Sequence, residues 1–261
     1  MAMFRRNRPA AGQQPGPYGQ PAAGQPMQGS PGAPGGAPGG VPGGGPGGAP
    51  DFRQMLTGAP VERIRQDLRL SVTRVGPHLA APAIAWPLTD ELAAIACVKL
   101  PDGAIATAEV PMAQVWGMEA EDVWLQSATN LRAEYFSRSE FDTAAGVPMT
   151  MFTGQAWPGS AQLTRLGEAL GEDLPAGALV TLPDDNTVLA IPIHNPRVID
   201  MVGHMFGTGH ELTRGQHPMS VRPLWWHEGV VEPLDVQWHG QVGQVSGSPR
   251  FNQAMAAVPQ R

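Results

Sequence analysis

Cysteine, lysine and long apolar runs are what this 261-residue chain has least of. Its single cysteine, Cys97, excludes an internal disulfide framework and fits a reducing compartment. It sits in the apolar run AAIACVKL, with Lys99 the one basic neighbour, so it reads as a small buried hydrophobe and not as a nucleophile. Lys99 is also the sole lysine; with abundant Ala, Gly and Pro, the reliance on Arg fits a GC-rich bacterial genome. Spanning a bilayer takes about 18 to 20 consecutive apolar residues. No stretch approaches that, and the N-terminus lacks the apolar core of a secretory signal, so no integral membrane segment and a cytoplasmic location are expected. The nucleophile elbow GxSxG, the phosphate loop GxxxxGK[ST] and a GxGxxG after a strand are all missing. Gly207-Thr208-Gly209 is too short and lacks the third glycine, so nucleotide binding has no support and no cofactor is expected.

What is present is unevenly distributed. The first 50 residues hold 15 of the 33 glycines and 11 of the 28 prolines, with no acidic group and almost no large apolar side chain. Such a segment cannot bury enough surface to offset its ordering entropy. Its PGG and APGG units keep no strict Gly-X-Y period, so residues 1–50 are expected to form a disordered Gly/Pro-rich tail and not a collagen helix. That tail carries Arg5, Arg6 and Arg8 unopposed, while residues 51–261 carry 14 basic against 23 acidic groups. An acidic body argues against nucleic acid as a partner, because phosphate neutralisation needs clustered Lys or Arg. The three arginines, with Phe4, allow weak contact with an anionic membrane surface, although solubilising the terminus explains them more simply. Residues 51–239 are long enough for one folded domain, and 240–261, polar and Gly-rich, read as a second flexible tail.

Within the domain, Val61, Ile64, Leu68 and Val72 recur at three and four, which predicts a helix from about Pro60 to Val75. Leu92–Leu100 and Ala104–Val110 flank Pro101-Asp102-Gly103 as a hairpin. A second helix opens on the acidic turn Glu119, Glu121, Asp122, with Trp124, Ala128, Leu131 and Tyr135 as its buried stripe. A strand follows near Val147–Phe152, then a third helix marked by Leu163, Leu166 and Leu170, capped by Ser160 and ended by Gly171. Strands Leu179–Leu182 and Val188–Ile193 flank the turn Pro183-Asp184-Asp185-Asn186. Asn195-Pro196 opens a fourth helix running to about Gly207. A last hairpin pairs Met219–Trp226 with Val230–Trp238. Adjacent strands joined by tight turns exclude parallel crossovers. The expected class is α+β: a single domain with a mainly antiparallel sheet and about four helices.

The order of these features in the C-terminal third carries a likeness. Pro183 opens a polar turn, the strand Val188–Ile193 closes on Asn195, and Asp200, Gly203, Met205 and Pro218 follow, before a hairpin reading Glu228-Gly229, two apolar residues, Glu232-Pro233. Upstream, Asn130-Leu131-Arg132 also fits. With these motifs the chain resembles the YtpQ-like family of bacterial proteins over about residues 115–235. The family has no established biochemical role to carry over, so the resemblance bears on fold. Its pattern usually places Asp where this chain has Asn186, and an amide cannot replace a carboxylate as a general base.

Candidate chemistry is sparse. His204, His210 and His217 with Glu211 could assemble the metal site of a hydrolase, but the spacings are not those that put two imidazoles on one helical face, and a Gly- and His-rich loop explains the same letters. Asp184 and Asp185 suit a turn, where carboxylates accept backbone hydrogen bonds. Asn130, Arg132, Asp185, Asn186 and Asn195 form a set of polar motif residues; Asn130 and Arg132 lie off the apolar stripe and could reach neighbouring backbone, or simply form a polar face. Trp225 and Trp226 are adjacent on one strand and must point to opposite faces. With Trp238 on the expected pairing strand, either one indole is exposed as a contact for a protein partner, or both are core. The leading expectation is a non-catalytic, cytoplasmic protein-interaction module with an unidentified protein partner; the alternative is the metal-dependent hydrolase.

Overall fold

The computed structural model describes residues 52–259, apart from 77–78, 80–81, 144–145, 214–218, 221 and 240–241. The expected Gly/Pro-rich tail, with Arg5, Arg6 and Arg8, lies outside the described residues, as do His217 and Pro218.

The first of three antiparallel sheets among the described residues grows around β3 (Leu92–Lys99). Its run of small and apolar residues is buried on both faces for nearly its whole length. β1 (Leu68–Arg74) pairs along one side, from Leu68 opposite Val98 to Arg74 opposite Leu92. The other side is shared end to end by β2 (Ala85–Pro87) and β4 (Ile105–Thr107). Alternate residues of β3 serve different cores. Ala96 and Val98 join Leu56, Ile64, Met112 and Trp116, brought by α1 (Phe52–Thr57), α2 (Val61–Asp67) and α3 (Val110–Val115). Ile95 and Cys97 instead meet Leu131, from α4 (Ala120–Leu131), and Trp157.

The second sheet has the order β10-β9-β7-β8-β6-β5, with every neighbouring pair antiparallel. Its strands are β5 (Phe136–Asp142), β6 (Pro148–Gly154), β7 (Ala178–Asp184), β8 (Thr187–Pro192), β9 (Leu224–His227) and β10 (Val230–Pro233). Both faces are covered. One packs on a 3₁₀ turn (Gly159–Arg165) and α5 (Leu166–Leu170), through Leu163, Leu166 and Leu170. The other packs on a second 3₁₀ turn (Pro196–Met201), α6 (Val202–Thr213) and α7 (Pro249–Ala256), through Val198, Met205 and Phe251. A two-stranded ribbon, β11 (Asp235–His239) with β12 (Val242–Ser246), precedes α7. The architecture is α+β with antiparallel sheets, and seven α-helices occur among the described residues where about four were expected.

Several expected elements change. The helix foreseen over Pro60–Val75 stops at Asp67, and Leu68–Arg74 is strand. Leu68 and Val72 satisfy a helical stripe, but Leu68, Leu70 and Val72 equally satisfy strand alternation, and the seven-residue register with β3 decides between them. In α4 Leu131 is buried as expected, but Val123 and Ser127 take the fully buried places ahead of Trp124 and Ala128, which are partly buried, and Tyr135 lies exposed beyond the helix end. Gly171 does close α5, in the left-handed region at φ 71°. Ser160 caps nothing; it lies inside the 3₁₀ turn. The last hairpin is shorter than expected, turning at Glu228 and Gly229, both with positive φ. Trp238 therefore belongs to β11 and pairs opposite Gly243, not to the strand beside Trp225. The segment after 239, expected as a flexible tail, carries β12 and α7. Ser248 caps α7 by accepting from the Phe251 N–H at 3.1 Å, and Phe251 is buried.

Burial pushes the Cys97 thiol up to about 12. A thiol-specific chromogenic reagent at pH 8 is therefore expected to detect no thiol in the folded protein and one equivalent after denaturation. Rapid labelling of the folded protein would show that β3 is not enclosed.

Candidate interaction surface and the polar motif residues

Trp225 is fully buried and Trp226 is 8 % exposed, on opposite faces of β9. β9 lies inside the sheet, between β7 and β10, and both faces are covered, so each indole meets packed side chains instead of solvent. Trp225 donates its indole N–H to the Ala176 carbonyl at 2.8 Å, takes Phe251 edge-on at 5.4 Å, and lies under the Arg250 guanidinium, also 5.4 Å from the ring. Trp226 presses against Gly167, where an added Cβ would stand 2.8 Å from the ring. The reading that one of this pair contacts a partner is thereby corrected: both are core. Trp238 is 47 % exposed and meets Phe206 edge-on at 5.9 Å, on β11 and not on the strand paired with that of Trp225.

The polar motif residues organise backbone. Asn130, near the end of α4, donates to the Arg65 and Leu68 carbonyls at 2.6 and 3.0 Å, and accepts from the Gln126 amide at 2.8 Å. It thus holds the junction where α2 ends and β1 begins, the backbone reach that its off-stripe position suggested. Arg132 makes a two-pronged pair with Glu168, at 2.7 and 3.1 Å. Asn195 accepts from the Arg197 N–H at 3.0 Å, capping the turn that leads into α6. Asp185 is exposed, and its carbonyl accepts from the Ser160 N–H at 3.1 Å.

Asn186 does most. Its N–H is received by Asp184 Oδ1 at 2.9 Å, which closes the β7–β8 turn. Its side chain accepts from the Gly159 N–H and donates to the Gly154 carbonyl, both at 3.1 Å, while its own carbonyl takes the Gly154 N–H. The approach requires glycine at both contacts. A Cβ on Gly154 would lie 1.9 Å from the Trp157 carbonyl oxygen, and one on Gly159 would lie 2.0 Å from that of Asn186. The donor to Gly154 is one that a carboxylate lacks, so the amide suits this position structurally.

The histidine cluster does not assemble. His204, His210 and Glu211 are exposed on α6. Six residues set the two imidazoles ~120° apart around the helix axis, and seven put Glu211 about 10 Å along it from His204. Among the described residues no group of three or more His, Cys, Asp or Glu is placed to hold a metal ion. Nor is any described helix long and apolar enough to cross a membrane.

The apolar surface that sequence reasoning missed lies on the first sheet. Trp86 in β2 is 65 % exposed and stands 6.4 Å from Trp124 of α4, the two ring planes inclined at 45°. Side by side they line a groove of about 620 Å³ together with buried Ile84, exposed Val110 and Leu125, and Glu121. A three-residue strand gives almost no periodicity to read. The one available signal was a tryptophan in PAIAWP, enclosed by prolines that keep it from a central strand.

No family model, curated protein or solved structure matches this chain.

Two outcomes test the structural assignments. Asn186→Ala removes both side-chain bonds of the clamp and is expected to cost about 2 kcal/mol or more in urea unfolding. Asn186→Asp keeps the bond from Gly159 but sets a carboxylate oxygen against the Gly154 carbonyl, so it should not recover the loss. The hydrogen bond from Arg132 holds the Glu168 carboxyl below its ordinary value. A depressed folded pKa stabilises above the unfolded pKa, and that stabilisation fades as pH falls through the folded value. The difference in unfolding midpoint between the natural protein and Glu168→Gln should therefore be larger at neutral pH than in acid, and small throughout because the pair is exposed.

Proposed function

We propose that this protein is a non-catalytic protein-interaction module whose docking surface is the Trp86–Trp124 groove. The exposure of Trp86 supports this most directly, because a large indole left in water beside a second one is costly unless something covers it. Tryptophan in a partly enclosed apolar pocket is also the residue type that dominates binding energy at protein interfaces. Elsewhere, the residues singled out for chemistry serve the fold: Asn130, Asn186 and Asn195 hold backbone, and Trp225 and Trp226 fill the core. The likeness to the YtpQ-like family is part of the same proposal, as is a cytoplasmic location, and neither implies a reaction. The reading of His204, His210, His217 and Glu211 as a hydrolase centre gains no support from the geometry of the three described residues.

Affinity purification of the full chain from its own host, beside Trp86→Ala and Leu125→Asp, tests the proposal. Both side chains are exposed, so the substitutions should leave the fold intact by circular dichroism. A partner retained by the natural protein and reduced about tenfold or more by each variant is expected. Recovery of the same partners in undiminished amount by both variants would remove the groove from consideration.

A further inference from the structure

The chemistry of the groove narrows what it can receive, on the premise that it is a docking surface. Adding a strand to β2 would gain little, because β2 runs for only three residues and ends on Pro87, which has no N–H to offer. Recognition must then fall on side chains. The two indoles touch each other and, with Ile84, Val110 and Leu125, line an apolar groove open to solvent, to which they contribute flat, rigid surfaces. A pyrrolidine ring packs well against such an indole face, and a polyproline II segment brings it with little conformational entropy left to lose and no internal hydrogen bonds to break. Charge sets the second requirement. Glu121 is the single charged residue among the described residues lining the groove, and the exposed Glu119 and Asp122, joined in the capping box that opens α4, are its neighbours in the chain. The nearby Glu109 is already held by Arg53 at 2.7 Å. A guanidinium entering here would find a carboxylate at the rim and the face of an indole beside it.

We propose that the groove receives an extended, proline-containing segment of a partner protein with an arginine next to the proline, the proline ring packed on the exposed indole of Trp86 and the guanidinium on Glu121. Calorimetric titration of the full chain tests this with three short synthetic peptides: one rich in arginine and proline, the same peptide with glutamate for arginine, and a basic amphipathic peptide that forms a helix. The first peptide should bind, and the second should bind at least about tenfold more weakly. Trp86→Ala should weaken the first by about tenfold or more. Glu121→Lys should invert the preference, favouring the glutamate peptide, a reversal that simple damage to the fold would not produce. Absence of binding by the first peptide, binding indifferent to Trp86→Ala, or tighter binding of the helical peptide would each overturn the proposal. If a cellular partner is lost with Trp86→Ala while the arginine–proline peptide does not bind, the occupant is wrong and the groove stands. If the partner is also indifferent to Trp86, both readings fall.

Discussion

The close approach of the β7–β8 turn to Gly154 and Gly159 is the constraint on which the rest of the structure leans. Three backbone segments meet there within hydrogen-bonding distance, and one amide side chain, that of Asn186, satisfies a donor in one and an acceptor in another. Only glycine leaves room for it at both contacts. Between those two glycines lies Trp157, whose indole N–H reaches the Leu70 carbonyl at 2.6 Å, so the node that closes one hairpin of the second sheet also ties that sheet to β1 of the first. Arg222, paired with Asp90 and Glu91, makes a second tie from the later part of the chain to the start of β3.

The tryptophans divide along the same lines. Trp116, Trp157 and Trp225 are buried and each gives its N–H to a backbone carbonyl, which lets a large apolar ring enter the core without leaving a polar atom unpaired. Trp226 is buried as well, its ring filling the space that Gly167 leaves open. Trp86 and Trp238 are the ones the fold leaves largely in solvent, and Trp86 alone has another indole beside it. Trp86 thus keeps most of the surface that packing takes from the buried indoles.

Much of this was legible in the sequence wherever local chemistry decided the outcome. Asn195-Pro196, Gly171, the turn at Asp184 to Asn186 and the hairpin across Pro101-Asp102-Gly103 act over a few residues, and the structure places them as their letters suggest. Where distant partners decided, the letters were ambiguous. Leu68 and Val72 fit helix and strand alike until β3 supplies a register. Alternation put Trp225 and Trp226 on opposite faces, but their burial depends on Phe251 and Leu166, each more than twenty residues away in sequence. The Gly-rich composition after Trp238 hid a legible signal, Ser248 followed by Pro249, which is a helix start.

The long-range ties also carry a kinetic consequence. Trp157 to Leu70 spans 87 residues, Arg222 to Glu91 spans 131, and Arg74 reaches the Met219 carbonyl across 145. Loop-closure entropy grows only as the logarithm of the span, so separations of this kind take little from equilibrium stability. They weigh instead on rate, since contacts distant in sequence must be found before they reward the search. The first sheet holds mostly local pairings, yet its β1 edge and the entrance to β3 are secured by residues that arrive much later in the chain. Folding should thus conclude with the docking of one sheet on the other and not with the completion of either, the step at which Trp157 reaches the Leu70 carbonyl and Arg74 the Met219 carbonyl.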